Sequence, residues 1–268
     1  MNSKTNLFGF IVILAIALVS SDLIEIVNKS TNQFERIVGG HYIPIENTPY
    51  QVSLVILKPK LKKLELCGGS IIHEKFVLTA LHCFMGVNSL DQIILRAGSA
   101  ILDQGGITVS INRIIKHSKY DAALLELKNP LIFAENIKPI QLPSVGEQIP
   151  ENQTCYSSGW GYIKENEHVK ILNGRRLAAV SLQIIGHSMC QRLYHNELKY
   201  HEICAGRMFG GVDACTADSG GPLACPPLNN QKLFGIIAHG KGCARPKSPG
   251  VYVNVVAIRN WILQSAGV

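Results

Sequence analysis

From Gln51 onward, apolar residues fall in short β-branched runs separated by Gly, Pro, Asn and Ser. The runs are Gln51–Leu57, Ser70–Leu78, Gln92–Ala97, Thr108–Ile115, Ala123–Leu127, Leu233–Ala238 and Gly250–Val255. Short strands at regular spacing with turn residues between them predict an all-β barrel or sandwich. Only the C-terminal end has helical spacing, with Val256, Trp261 and Ile262 on one face. The first residues are different. Lys4 precedes an unbroken apolar or glycine run, Leu7 to Val19, followed by Ser20 and Ser21. A basic head, a short apolar stretch and small residues beyond it read as a secretory signal peptide, residues 1–21. A membrane span needs about 20 apolar residues, and this run is shorter. A secreted, extracellular protein with no membrane segment is expected.

Composition narrows the class. With 47% apolar and 17% charged residues the chain is too hydrophobic for a disordered tail, and 24 glycines argue against a coiled coil. A net charge of +7 favours acidic partners, but the surplus is not gathered in a tail, so nucleic acid is not expected. Eight cysteines suit an oxidising compartment. They form no CxxC pair, so no metal site is expected. Nor is a calcium loop, since no cluster of acidic ligands stands out, and no cofactor is implied. Two glycosylation sequons, at Asn28 and Asn152, are permissive.

The chemistry lies in three separated motifs: Thr79-Ala80-Leu81-His82-Cys83, Asp121-Ala122-Ala123-Leu124-Leu125, and Asp213-Ala214-Cys215 followed by Asp218-Ser219-Gly220-Gly221-Pro222. A serine alone is a poor nucleophile. It needs a histidine to take its proton and a buried carboxylate to fix the histidine's tautomer. The order His, Asp, Ser is one of three known on unrelated folds. Singly, each motif has a bland reading: a histidine beside a disulfide, an aspartate at a strand start, a serine in a glycine turn. Taken with the Arg36-Ile37-Val38-Gly39-Gly40 junction, chance assembly is implausible.

From Ile37 to Val268 the chain resembles the trypsin/chymotrypsin family of serine proteases, and in some respects mite trypsin-like proteins: the digestive group 3 allergens and inactivated scabies-mite paralogues. The resemblance implies two packed six-stranded antiparallel β-barrels with a C-terminal helix and a catalytic cleft between the barrels. It also implies the disulfides Cys67–Cys83, Cys155–Cys225, Cys190–Cys204 and Cys215–Cys243. Residues 22–36 would be an activation propeptide, removed by an activating protease after Arg36 so that the new amino group of Ile37 pairs with Asp218. His82 would be the general base, Asp121 its orienter and Ser219 the nucleophile, with the N–H groups of Ala217 and Ser219 as oxyanion hole. Asp213, with Gly240, Gly250 and His239 around it, would select peptide or protein substrates with Arg or Lys before the scissile bond. The implied enzyme is a monomeric, secreted trypsin-like zymogen.

Five departures from the family pattern cluster at this site. Ala217 stands for a glycine, whose backbone freedom would aim the oxyanion donor. Ala238-His239 replaces Ser-Trp beside the substrate. Leu81 stands for Ala and Ala122 for Ile, a pair that reads as a compensating volume exchange. Finally, His117-Ser118-Lys119-Tyr120 runs straight into Asp121 with no intervening loop. With Cα atoms only ~3.8 Å apart, the lost loop must be absorbed by moving a strand end, which threatens to carry Asp121 away from His82. The competing reading is therefore a catalytically impaired homologue that binds a protein partner through surface loops. A candidate surface is the run containing Lys58, Lys60, Lys62 and Lys63, which would suit an acidic partner.

Overall fold

The computed structural model describes residues 39–58, 63–161, 174–215, 217–226 and 230–268. The expected signal peptide, propeptide, Arg36, Ile37, Lys60 and Lys62 lie outside the described residues. The strands in chain order are β1 (His41–Tyr42), β2 (Gln51–Lys58), β3 (Lys63–His73), β4 (Phe76–Thr79), β5 (Ile93–Ala97), β6 (Ile107–Val109), β7 (Ile111–Lys116) and β8 (Ala123–Leu127). They continue with β9 (Thr154–Gly159), β10 (Ala178–Ile185), β11 (Glu202–Gly206), β12 (Pro222–Cys225), β13 (Lys232–His239) and β14 (Gly250–Asn254). Two α-helices, α1 (His187–Leu193) and α2 (Val255–Ala266), and the 3₁₀ turns Ile45–Asn47, Leu81–Phe84 and Leu90–Gln92 complete the described elements.

The strands form two antiparallel sheets. The first has the order β6-β5-β2-β3-β4-β8-β7 and the second β1-β10-β11-β14-β13-β12-β9. In the second, β10 also pairs with β9 from Ala178↔Gly159 to Gln183↔Thr154, which closes a six-stranded barrel with β1 added outside. The expected architecture of two antiparallel barrels with a C-terminal helix is present, one barrel closed and the other, the first sheet, a curled half-barrel of seven strands that does not close. Its edges, β6 and β7, are consecutive segments meeting at Ser110, so the chain bends from one edge to the other instead of pairing. The apolar run Thr108–Ile115 is that bend.

Alternation explains the cores. Val52, Leu54 and Ile56 of β2 are fully buried on one face, while on the other face Val55 is half-buried against the Leu66–Trp160 cluster and Leu57 is exposed. In the closed barrel, Val180, Leu182 and Ile184 of β10 meet Leu223, Phe234 and Tyr252. Helix α2 begins where the Asn254 side chain accepts a hydrogen bond from Val256 N at 3.0 Å. It ends at Gly267, whose φ of +74° suits a left-handed cap. Its buried positions are Val255, Ile258 and Ile262, one turn-spaced stripe; Val256 and Trp261 are only half-buried. The disulfides are Cys67–Cys83, Cys155–Cys225, Cys190–Cys204 and Cys215–Cys243.

Candidate active site

His82 sits in a 3₁₀ turn, Leu81–Phe84, that leaves the end of β4 and is tied to β3 by Cys67–Cys83. Asp121 precedes β8, the neighbour of β4 in the sheet. The register Thr79↔Ala123 therefore brings the two motifs to the same sheet end. His82 Nδ1 lies 2.6 Å from Asp121 Oδ2, and His82 N donates to Asp121 Oδ1 at 2.8 Å. The shortened hairpin does not displace the carboxylate.

The reason is local. His117 N donates to Ala122 O at 3.0 Å and Ala122 N to Tyr120 O at 2.8 Å, closing a tight turn. Inside it, His117 Nδ1 accepts from the backbone N–H of Lys119 at 3.1 Å and of Tyr120 at 3.0 Å. The imidazole is stacked on the Tyr120 ring, 4.5 Å between centroids, and edge-on to Trp261 at 5.0 Å. Side-chain hydrogen bonding thus replaces the missing loop.

Burial pushes the Asp121 carboxyl up. The hydrogen bond and charge of His82, with backbone N–H groups of His82 and Leu81, outweigh this and hold it below the usual carboxylate value. Ala238 offers no hydroxyl, and the Asp121 hydrogen bonds come from His82 and from these backbone donors.

Ser219 stands in the turn between Asp218 and β12. Its carbonyl accepts from Gly68 N at 2.8 Å, and the Cys83 sulfur lies 3.8 Å from the same oxygen, so the turn rests against the segment that carries His82. Gly220, at φ +81°, permits this approach: a Cβ there would run into the Gly68 carbonyl and Thr79 Oγ1. Ala217 adopts φ +78°, the left-handed region in which a Cβ is strained. Its methyl lies against the cluster that includes Leu66 and Trp160.

A cavity of about 610 Å³ opens beside Ser219, lined also by Asp213, Ala217, His239, Gly240 and Gly250. Asp213 is 2% exposed. Its Oδ2 accepts from Ala244 N at 3.1 Å, and its Oδ1 has no partner among the described residues. Burial, reinforced by the Asp218 charge, pushes its carboxyl up to about 7 against the backbone hydrogen bonds from Ala244 and Ala214. A Cβ on Gly250 would stand 3.1 Å from Asp213 Oδ1, so glycine there keeps the path to the carboxylate open.

His239, opposite, places Nε2 3.3 Å from Oε1 of the buried Glu202. Burial raises the Glu202 carboxyl, but the His239 hydrogen bond and the backbone donor Lys199 leave it lowered. Sequence reasoning missed Glu202; only the register of β11 beside β14 brings it under His239.

Asp218 is 1% exposed and accepts from Gly161 N at 2.8 Å and Cys215 N at 3.1 Å. Burial raises its carboxyl to about 6 against those bonds and the charge of Arg175.

The model of the Trypsin family matches residues 37–262, which include the His82–Asp121 pair and the Ser219 turn beside the Asp213 cavity. The chain belongs to the trypsin family of serine proteases. A relative, transmembrane protease serine 9 of Rattus norvegicus, is 35% identical over 240 residues; the match covers 85% of this chain and 22% of that protein. The chain thus corresponds to about a fifth of the length of that relative. Among the described residues of this trypsin-family chain, no helix is long and apolar enough to cross a membrane.

Cys67, His82 and Cys83 bring three metal-ligand atoms within 4.8 Å of one another. Both sulfurs belong to one disulfide and offer no thiolate. Of the four lysines singled out, Lys58 is buried with its Nζ 2.6 Å from Glu65 Oε2, and Lys63 lies 3.6 Å from the same oxygen. The register Lys58↔Lys63 at the β2–β3 end puts both ammonium groups near Glu65, so neither described lysine is a solitary charge in solvent.

Proposed function

We propose that the chain is a secreted serine endopeptidase, made as a zymogen activated at Arg36–Ile37, which cleaves peptides after Arg or Lys. The observation that carries this reading is Asp213, a buried carboxylate with one unpartnered oxygen in a cavity that also contains Ser219. A buried carboxylate demands a cationic partner, and the guanidinium or ammonium of a substrate side chain supplies it. The scissile carbonyl is then placed at Ser219.

His82, with its Nδ1–H on Asp121, presents Nε2 as the base that takes the Ser219 proton. Asp121 fixes the tautomer and stabilises the imidazolium that forms. The Ser219 oxygen attacks the carbonyl, and the N–H groups of Ala217 and Ser219 bind the developing oxyanion. Returning the proton from His82 to the leaving amine yields the acyl-enzyme, and water repeats the sequence to release the acid. Four disulfides suit an extracellular setting. The His82–Asp121 contact favours this reading over a binding-only homologue.

Active-site titration tests it. After cleavage at Arg36, a fluorophosphonate is expected to label the protein stoichiometrically, and Ser219→Ala to abolish labelling. Absence of labelling in the unsubstituted protein refutes catalysis and leaves the binding-only homologue.

A further inference from the structure

Asp218 is the residue before the nucleophile, and its carboxylate is almost wholly removed from water. A bare buried charge of this kind destabilises the segment that holds it. Two glycines admit it: a Cβ on Gly159 or on Gly161 would collide with the carboxylate. Gly161 N donates to Asp218 Oδ1 at 2.8 Å.

The carbonyl at the other end of that peptide group, Trp160 O, accepts from Arg175 Nη1 at 3.1 Å. Arg175 is itself only 2% exposed. A trans peptide points its C=O and N–H in opposite directions. One peptide unit is therefore aligned between a buried cation at its oxygen end and a buried anion at its N–H end. Its dipole has the favourable sense at both ends. Trp160 is fixed in turn, its Nε1 donating to Ala100 O at 3.0 Å.

We propose that Arg175 is a positioning residue for the nucleophile turn: a resident counter-cation that holds the Asp218 carboxylate through the Trp160–Gly161 peptide, whether or not the chain is cut at Arg36. The inference rests on the catalytic reading above only for its consequence, that Ser219 and the Ala217 N–H are partly aligned in the uncut chain. Arg175, unlike a freed amino terminus, is present in both forms of the protein. Cleavage then adds to an Asp218 site already half-compensated, and the uncut chain retains measurable reactivity.

Asp218 also faces Asp213 and Tyr252, whose ionisation its charge opposes. The test must separate these groups. The experiment uses the full chain with Arg36→Gln, which keeps it uncut, and measures the melting temperature between pH 5 and 8. Four forms are compared: the parent, Arg175→Gln, Asp218→Asn and the double variant. Because the Asp218 carboxyl is raised in the fold, its penalty appears as pH rises through its folded value. Losing Arg175 is expected to move that window up by about one pH unit, so Arg175→Gln costs little at pH 5 and more at pH 8. With Asp218→Asn the cost becomes independent of pH, while titration of Asp213 continues in both backgrounds and cancels.

Arg175→Lys keeps the charge without the planar fork and is expected to give a smaller shift of the same sign. It serves if Arg175→Gln does not fold. A cost of Arg175→Gln or Arg175→Lys that is the same at every pH, or that survives unchanged in Asp218→Asn, overturns the proposal. Fluorophosphonate labelling of the same proteins reads the consequence, with about tenfold slower labelling expected at pH 8 for Arg175→Gln. If the parent shows the pH-dependent coupling but no uncut form is labelled while the Arg36-cleaved protein is, the Arg175 assignment stands and the partial alignment of Ser219 in the uncut chain is refuted. If the cleaved protein is not labelled either, the catalytic reading fails and the Arg175 assignment stands.

Discussion

Replacing His117 by alanine tests how the short hairpin delivers Asp121. Two backbone N–H groups lose their acceptor, those of Lys119 and Tyr120. At about 0.5–1.5 kcal/mol for each net hydrogen bond, the turn loses about 1–3 kcal/mol. The ring contacts with Tyr120 and Trp261 add about 0.5–1.5 kcal/mol each. The turn is thus weakened by an amount comparable to its whole local preference, and Asp121, directly after Tyr120, loses its fixed direction. Removing the orienting acid costs up to about 10⁴ in turnover. Partial misalignment is expected to lower kcat by about 10–10²-fold and leave KM within about twofold, because the Asp213 cavity is untouched.

Asparagine at the same position has a side-chain oxygen that closes such turns, so His117→Asn is expected to recover most of the loss. The pH profile separates the wild type from both variants. Only neutral His117 can accept at Nδ1. Burial first, then the charges of His201 and Lys119, hold its imidazole below the ordinary histidine value. A histidine lowered in the fold contributes stability above its unfolded value, lost as pH falls through the folded value. The acid limb of kcat therefore includes loosening of the turn, and His117→Asn, which does not titrate, is expected to make that limb shallower. Steady-state kinetics on an arginyl amide from pH 5 to 9 supply both readouts. Equal kcat and equal profiles for the wild type and His117→Ala refute the argument, as does an asparagine variant as damaged as the alanine one.

Benzamidine, a small aryl amidinium, is expected to bind more weakly as pH falls through about 7, where the Asp213 carboxyl takes up a proton; calorimetry showing pH-independent affinity refutes the assignment. Asp213→Asn is expected to cost at least about 10²-fold in kcat/KM on arginyl substrates, as for a buried ion pair deprived of one partner. Ala217→Gly relieves a left-handed alanine costing about 1–2 kcal/mol, offset by about 0.5–1 kcal/mol of glycine chain entropy. A severalfold rise in kcat is expected, with a melting temperature unchanged or raised to match up to about 1.5 kcal/mol of added stability, and a fall in both would show that the methyl contact outweighs the strain. Leu81 and Ala122 belong to one apolar cluster, so Leu81→Ala and Ala122→Ile are each expected to destabilise by about 1–3 kcal/mol. The double variant should lose at least about 1 kcal/mol less than their sum, and simple additivity in denaturant unfolding argues against a volume exchange.

The motifs around His82, Asp121, Ser219 and Asp213 were legible because each is a short run whose residue types have few other uses together. Strand β10 was harder to see. Ala178, Val180, Leu182 and Ile184 alternate inward with period two, but Ala179 and Ile185 make two of the opposite positions apolar as well and blur the contrast on which such a reading depends. The small, polar strand β9 carries even less signal, with Ser157 and Ser158 buried and held by hydrogen bonds to Pro222 O and Gln51 Oε1. Lysines at the β2–β3 hairpin read as a basic surface for an acidic partner until the register sets Glu65 within reach of Lys58 and Lys63. The Asp121 geometry was the least legible, since it depends on which side chain accepts two turn N–H groups. Sequence spacing states only that a loop is missing.

These contacts sort the departures from the family pattern by consequence. The lost loop is replaced by the His117 acceptor. Ala238 offers no hydroxyl, and the Asp121 hydrogen bonds come from His82 and from the backbone donors of His82 and Leu81. The two turn bonds to His117 are neutral and worth about 1 kcal/mol each, and the bonds to the Asp121 carboxylate are charge-assisted and worth about 1.5–3 kcal/mol each, so the His82–Asp121 orientation is kept. Ala217 has no such replacement. Its N–H must be aimed from a backbone conformation that its own Cβ resists, and the neighbouring turn is held by the buried Asp218 carboxylate, whose charge is itself only partly compensated. In the proposed mechanism the weakest link is therefore the Ala217 N–H and the turn behind it, while the His82–Asp121 pair is hydrogen-bonded and the Asp213 cavity is open. Weakness placed there lowers stabilisation of the tetrahedral intermediate without lowering affinity for the cationic side chain, so any catalytic deficit in this chain belongs in kcat, with substrate binding preserved.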